Sequence, residues 1–173
     1  MSYKSALRHS LRLVRQDHLT IYNRRRWDNI INHKIMKWAN RYKVLELGIY
    51  RPMEYEPNLE PVYHALQERG VQLYMPIISV KSAPLSFIPV QVKAQEYVKL
   101  DKALYSTPPN LIIPCLGFND NNYRIGWGGG YYDRTLALQP NGCRTVGVSY
   151  EALRIDFKPE AHDVPLEQII TED

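Results

Sequence analysis

The chain has 173 residues, 45% hydrophobic and 23% charged, a balance that suits one soluble globular domain spanning 1–173. No run of eighteen apolar residues occurs, which excludes a membrane-spanning helix, and Met1–Leu19 is basic and amphipathic without an apolar leader core, so no secretory signal is expected. The net charge of +4, much of it early in Arg8–Arg26, suits a polyanionic partner, but no helix-turn-helix, RNA-binding aromatic motif or zinc finger accompanies it. Cys115 and Cys143 make neither a metal-ligand spacing nor a disulfide scaffold, so a reducing cytoplasm is the expected compartment.

In chain order, Ser2–Leu19 reads as a helix with Ser2 as N-cap and an apolar stripe of Leu7, Leu11 and Val14. Lys4, Arg8, Arg12 and Arg15 recur at spacings of four and three on another side, a cationic ridge whose ordinary fate is solvation. Arg24-Arg25-Arg26 reads as a surface charge run. A second helix is expected over Trp27–Tyr42, burying Ile30, Ile31, Ile35 and Trp38. Lys43–Tyr50 reads as a buried strand, followed by a loop punctuated by Pro52 and Pro57. Asn58 caps a helix ending at Arg69, with Gly70 just past it. Strands are expected over Val71–Ile77, Leu85–Val90, Leu111–Pro114, Thr145–Ser149 and Ile169–Thr171, with 91–110 as loop. Alternating strands and helices imply an α/β fold, a mostly parallel central sheet with helices on both sides.

The most informative stretch is Arg124-Ile125-Gly126-Trp127-Gly128-Gly129-Gly130-Tyr131-Tyr132-Asp133-Arg134, with four glycines in five residues. A strand precedes it, and Tyr131–Leu138 reads as a helix with Asp133 in its first turn. Strand, glycine loop and helix start together offer free backbone N–H groups and close backbone approach to an anion. Neither the P-loop nor the dinucleotide fingerprint fits, because no Gly-Lys-Ser/Thr closes the loop and the glycine spacing is wrong. Arg124 and Arg134 bracket the loop and can neutralise phosphate, while Asp133 offers a hard oxygen to a divalent cation.

Leu116-Gly117-Phe118-Asn119-Asp120 followed by this stretch resembles the signature of the 5-formyltetrahydrofolate cyclo-ligase family. The resemblance implies an ATP- and Mg²⁺-dependent enzyme that closes 5-formyltetrahydrofolate to 5,10-methenyltetrahydrofolate. It assigns ATP to Lys4-Ser5-Ala6-Leu7-Arg8 and to Arg124 through Tyr132, that is Arg124, Ile125, Gly126, Trp127, Gly128, Gly129, Gly130, Tyr131 and Tyr132. It assigns the folate to Ile49, Glu54, Trp127, Gly128, Gly129, Gly130 and Tyr131, and the magnesium ion to Asp133 and Asp163. Lys4, Arg124 and Tyr131 are the expected catalytic groups. The family's usual small residue before its folate-contacting glutamate is replaced here by Met53. The expected partners are ATP and a folate, possibly polyglutamylated, with no nucleic acid or membrane, on a monomer. The competing readings are a non-catalytic folate- or nucleotide-binding relative and a basic nucleic-acid-binding protein. Folate-dependent ATP turnover separates the first from the enzyme, and salt-dependent nucleic-acid retention identifies the second.

Overall fold

The computed structural model describes residues 3–18, 21–94, 96–101, 103–139 and 142–173. The expected cap Ser2 lies outside them. Two helices open the chain, α1 (Tyr3–His18) and α2 (Ile21–Arg41). Then come β1 (Glu46–Gly48), α3 (Glu60–Glu68), β2 (Gln72–Ile77), β3 (Ser86–Lys93), β4 (Glu96–Lys99) and β5 (Asn110–Pro114). A small hairpin, β6 (Gly117–Phe118) and β7 (Arg124–Ile125), leads to α4 (Tyr131–Ala137), and β8 (Arg144–Val148) and β9 (Gln168–Ile170) finish the chain.

Seven strands form one sheet in the order β4-β3-β2-β1-β5-β8-β9. The run from β2 through β1, β5 and β8 to β9 is parallel, while β3 and β4 extend it as antiparallel strands. Alternation along the strands separates the two faces. Leu73, Ile112, Val146 and Val148 join Ile31, Ile35, Trp38, Tyr63 and Leu66 of α2 and α3 in one core. Tyr74, Phe87, Leu111 and Ile113 join Tyr132 and Leu136 of α4 in the other. Helices therefore cover both faces, as the strand–helix alternation implies. Full burial of such aliphatic side chains contributes about 1.5–3 kcal/mol each. From β1 the chain steps to β2 on one side and later to β5 on the other. This reversal opens a crevice at the strands' carboxyl ends, the usual place for a ligand in an open α/β sheet.

Several elements differ from the sequence reading. Strand β1 covers three residues rather than 43–50. Lys43 turns the chain out of α2 with a φ of 49°, and Leu45 is 73% exposed, although Gln72 N–H still donates to Leu45 C=O and Ile49 N–H to Tyr74 C=O. The stretch read as loop after Val90 contains the end of β3 and the whole of β4, a short charged edge strand without apolar alternation to announce it. Helix α2 begins at Ile21, so Arg24–Arg26 sit on a helix, with Arg24 over the Tyr55 ring at 5.6 Å. Ile31, Ile35 and Trp38 are buried as expected, but Ile30 is only partly covered. Helix α3 starts two residues after Asn58, whose Oδ1 nonetheless accepts the Glu60 N–H at 3.1 Å, and Gly70 follows the helix with a φ of 86°. Leu59 holds the N-cap position without a side-chain cap bond.

Gly147 in β8 is closely packed on several sides. A Cβ there would lie 2.4 Å from Ile169 Cδ1, 2.7 Å from Leu166 Cδ1 and 2.8 Å from Cys115 Sγ. Gly147→Ala should therefore lower unfolding stability by about 1–3 kcal/mol, the usual range for overpacking, read from the denaturant midpoint.

Candidate active site

The crevice holds a cavity of about 450 Å³. Its walls are Lys4 and Arg8 from α1, Pro76 and Ile78 at the end of β2, Pro114 at the end of β5, the stretch Arg124–Asp133, and Glu160, His162 and Asp163. Leu85, ahead of β3, completes an apolar side. Residues more than a hundred positions apart thus meet because α1 crosses the carboxyl ends of the sheet.

Each contact of α1 is chemically specific. Lys4 is only 9% exposed, and its Nζ donates to both oxygens of Asp163 at 2.7 and 2.6 Å while pairing with Glu160 at 3.0 Å. One turn on, Arg8 Nε donates to Gly126 C=O at 2.9 Å. Leu11 packs beneath Gly117, where any Cβ would lie 2.6 Å from Leu11 Cδ1. Arg15, read as part of a solvated ridge, is 3% exposed and donates from Nη2 to Cys115 C=O at 2.8 Å. Arg12 remains in solvent on the same helix, its guanidinium 5.1 Å from the Trp127 ring centre.

The glycine loop runs from β7 into α4. Gly128 has a φ of 102° and Gly130 a φ of 62°, backbone states that a side chain opposes. At Gly128 a Cβ would also stand 3.2 Å from Arg8 Cζ. Arg124, buried beside the loop, pairs through Nη2 with Asp133 Oδ1 at 3.1 Å and donates from Nη1 to Val164 C=O at 3.3 Å. Asp133 Oδ1 in turn accepts the Val164 N–H at 3.2 Å. Arg134 points elsewhere, donating to Gly129 C=O and covering the Tyr131 ring at 5.1 Å, and is not part of the cavity wall. Burial pushes the Tyr132 phenol up, against the opposing charge of Arg124, so it stays protonated.

Asp133 and Asp163, thirty residues apart, are drawn to one turn: Asp133 binds the residue next to Asp163. Each carboxylate already has a cation, Arg124 for one and Lys4 for the other. Glu160, His162 and Asp163 each bring a ligand atom within 4.8 Å of the others, a group that could hold a metal ion, and Asp133 is not part of it. Burial works to raise the Asp163 carboxyl, but the Lys4 hydrogen bond and charge and the Glu160 N–H outweigh it, so its pKa lies below the ordinary value.

Of the residues assigned from sequence, Lys4, Arg8, Arg124 through Asp133 and Asp163 line this one cavity. Ser5, Ala6 and Leu7 share the helix turn between Lys4 and Arg8 but are not among the wall residues; Leu7 packs against the core. Two folate assignments lie elsewhere. Ile49 is buried in the core, and Glu54 is exposed on the loop after β1. Its neighbour Glu56 is the inward-facing acid, 2% exposed, with Oε1 accepting the Trp127 indole N–H at 3.3 Å. Sequence reasoning also missed Pro76, Ile78, Leu85, Glu160 and His162. The last two had a signal, since they flank Asp163 in a turn.

The fold and cavity define an α/β protein with a cation-rich cradle built around a glycine loop. Residues 1–172 match the model of the 5-formyltetrahydrofolate cyclo-ligase family, and the chain belongs to that family. It is accordingly an enzyme, a ligase of folate one-carbon metabolism. It is 26% identical over 175 residues to the 5-formyltetrahydrofolate cyclo-ligase of Mycoplasma pneumoniae, covering 98% of this chain and 99% of that one. Identity to the Mycoplasma genitalium cyclo-ligase is 30% over 173 residues, 96% of each chain. The solved structure of a 5,10-methenyltetrahydrofolate synthetase from Mycoplasma pneumoniae shares the fold, with a TM-score of 0.84 at 24% identity over 99% of this chain and 100% of that one. Among the described residues no helix is long and apolar enough to cross a membrane.

The Lys4–Asp163 pair yields a titration test. A carboxyl held below its usual pKa stabilises the fold above the unfolded value, about 3.9, and that stabilisation is lost as the pH falls through the lower folded value. Lys4→Met leaves burial unopposed by the ammonium, so the Asp163 carboxyl should titrate at higher pH than in wild type, followed by carboxyl-carbon NMR.

Proposed function

We propose that the chain catalyses the ATP- and magnesium-dependent closure of 5-formyltetrahydrofolate to 5,10-methenyltetrahydrofolate, with release of ADP and phosphate. The observation that carries this reading is the convergence of Lys4, Arg8, Arg124 and the glycine loop on one cavity that also has an apolar side. The formyl group is a poor electrophile because the attached nitrogen feeds its carbonyl. Phosphorylation of its oxygen by ATP turns that oxygen into a phosphate leaving group, after which N10 attacks the formyl carbon and phosphate departs.

The protein's share of this chemistry is positioning and charge stabilisation. Gly128 and Gly130 let the backbone approach the phosphates, and Lys4, Arg8 and Arg124 supply cations around them. Lys4 and Arg124 rest on Asp163 and Asp133 until ATP offers a denser anion, which prevents two mobile cations from repelling each other in the free enzyme. Asp133 and Asp163 are the residues that would hold Mg²⁺, with Glu160 nearby; when bound, the ion neutralises phosphate charge. Tyr131 and Trp127 offer flat surfaces to the folate ring system, with Ile78 and Leu85 as the apolar wall. Polyglutamylated folate and a cytoplasmic setting are consistent with the basic surface and the free cysteines.

The direct test is incubation with 5-formyltetrahydrofolate, ATP and magnesium while the methenyl chromophore is followed; no chromophore from a folded protein refutes the reading. Gly128→Val should abolish ATP binding by calorimetry, because it opposes the left-handed backbone and crowds Arg8. Asp133→Asn should lower kcat by about 10²-fold, comparable to the loss of one preorganised charge-stabilising group. It should also raise the magnesium requirement, measured by titrating the metal in the same assay.

A further inference from the structure

We propose that Thr135 is a positioning residue for the folate, holding the apolar wall of the cavity against the helix that carries Tyr131. The proposal rests on the cyclo-ligase reading of that cavity. Thr135 itself is not among the wall residues.

Two stretches bring the cavity its apolar and aromatic surface. The loop between β2 and β3, residues 78–85, supplies Ile78 and Leu85, and the start of α4 supplies Tyr131. The Tyr131 ring is well seated: a Cβ on Gly129 would lie 2.6 Å from its Cδ2, and the Arg134 guanidinium lies 5.1 Å from its centre. The 78–85 loop has less to hold it. Ile78 and Val80 are exposed. Ala83 N–H donates to Val80 C=O at 3.3 Å, and Ser79 Oγ pairs with Ser86 Oγ at 2.9 Å, but both bonds stay within the β2–β3 hairpin. Among the described residues, one hydrogen bond ties the loop to the protein beyond that hairpin: Leu85 N–H donates to Thr135 Oγ1 at 2.9 Å.

Thr135 is 1% exposed, on the buried side of α4. Its hydroxyl donates to Tyr131 C=O at 2.8 Å. A bond to the fourth residue back is open to any helical threonine. The bond to Leu85, fifty residues away, is not. A hydroxyl has one hydrogen and two acceptor sites. Donating the hydrogen to Tyr131 C=O leaves the lone pairs for the Leu85 N–H and fixes where they point. Leu85 N–H, Thr135 hydroxyl and Tyr131 C=O therefore form one chain of hydrogen bonds, each polarising the next. The Leu85 side chain also packs with Tyr132 and Leu136, but apolar packing is non-directional. The hydroxyl is what sets the backbone of the apolar wall at a fixed place relative to Tyr131. A packing role needs only the volume of the side chain, whereas this role needs its oxygen. Loosening the tie weakens a ligand that must touch both surfaces.

Three variants separate oxygen from volume. Thr135→Val keeps the shape without the oxygen, Thr135→Ser keeps the oxygen without the methyl, and Thr135→Ala lacks both. Each of them lowers Tm, so Tm does not discriminate. The discriminating readouts are the separate KM values for 5-formyltetrahydrofolate and ATP, from the methenyl chromophore, and the hydrogen exchange of the Leu85 amide by NMR. Thr135→Val and Thr135→Ala should speed that exchange at least about tenfold. Both should raise the folate KM about five- to tenfold, the scale of one lost hydrogen bond, with the KM for ATP and kcat within about twofold. Thr135→Ser should stay within about twofold of wild type in both readouts. Any two of the three variants suffice, should one fail to fold. A folate KM that follows volume, with Thr135→Val near wild type and Thr135→Ser raised, overturns the proposal. So does an equal rise in both KM values, or a rise confined to ATP, which assigns this wall to the nucleotide. An active wild type beside a Thr135→Val with an unchanged folate KM rejects this proposal alone. A folded wild type that forms no methenyl product rejects the cyclo-ligase reading, and this proposal with it.

Discussion

The site depends on a helix that contributes nothing to the sheet. Helix α1 lies across the carboxyl ends of the strands, and three of its cations end on fixed acceptors: Lys4 on Asp163, Arg8 on Gly126 C=O, Arg15 on Cys115 C=O. Spacings of four and three keep these side chains on one side of a helix. The helix therefore acts as a row of pegs, and the acceptors come from the last turn of the chain, the glycine loop and the end of β5. Without those three contacts the glycine loop would face solvent with one wall missing.

This arrangement also settles the electrostatics of the cavity. Unpaired cations gathered in a cleft would repel one another and favour an open loop. Pairing Lys4 with Asp163 and Arg124 with Asp133 holds both cations in place. The half-buried Tyr132 and the left-handed Gly128 and Gly130 complete the cavity wall.

Much of this was legible in the chain. The glycine loop runs into a helix as read, with Asp133 in the first turn of α4, although the β6–β7 hairpin stands between the expected strand 111–114 and the loop, and the α/β architecture follows from element alternation. Where the reading stopped, the missing information was three-dimensional. Arg15 has the same spacing as a solvated arginine, and only the docking angle of α1 buries it. Glu54 and Glu56 are two residues apart on one loop. Tyr55 between them takes a left-handed φ of 63°, and past that turn Glu56 lies inside while Glu54 stays out. No local pattern announces such a turn at a tyrosine. Strand β4 was invisible because an edge strand protected by charge lacks the alternation that marks a half-buried one.

The bond between Lys4 and Asp163 spans 159 residues, and this has a consequence for how the protein is made. A chain emerging from the ribosome presents its basic helix long before that helix's main counter-charge. Domains fold as units during synthesis, and contacts far apart in sequence form late because the intervening loop must first be ordered. Helix α1 therefore spends most of translation as an exposed cationic segment, while β1, α3 and β2 have their neighbours close at hand. A nascent chain interrupted before Glu160 has its glycine loop and every strand of the sheet but β9, and lacks the carboxylates that seat Lys4.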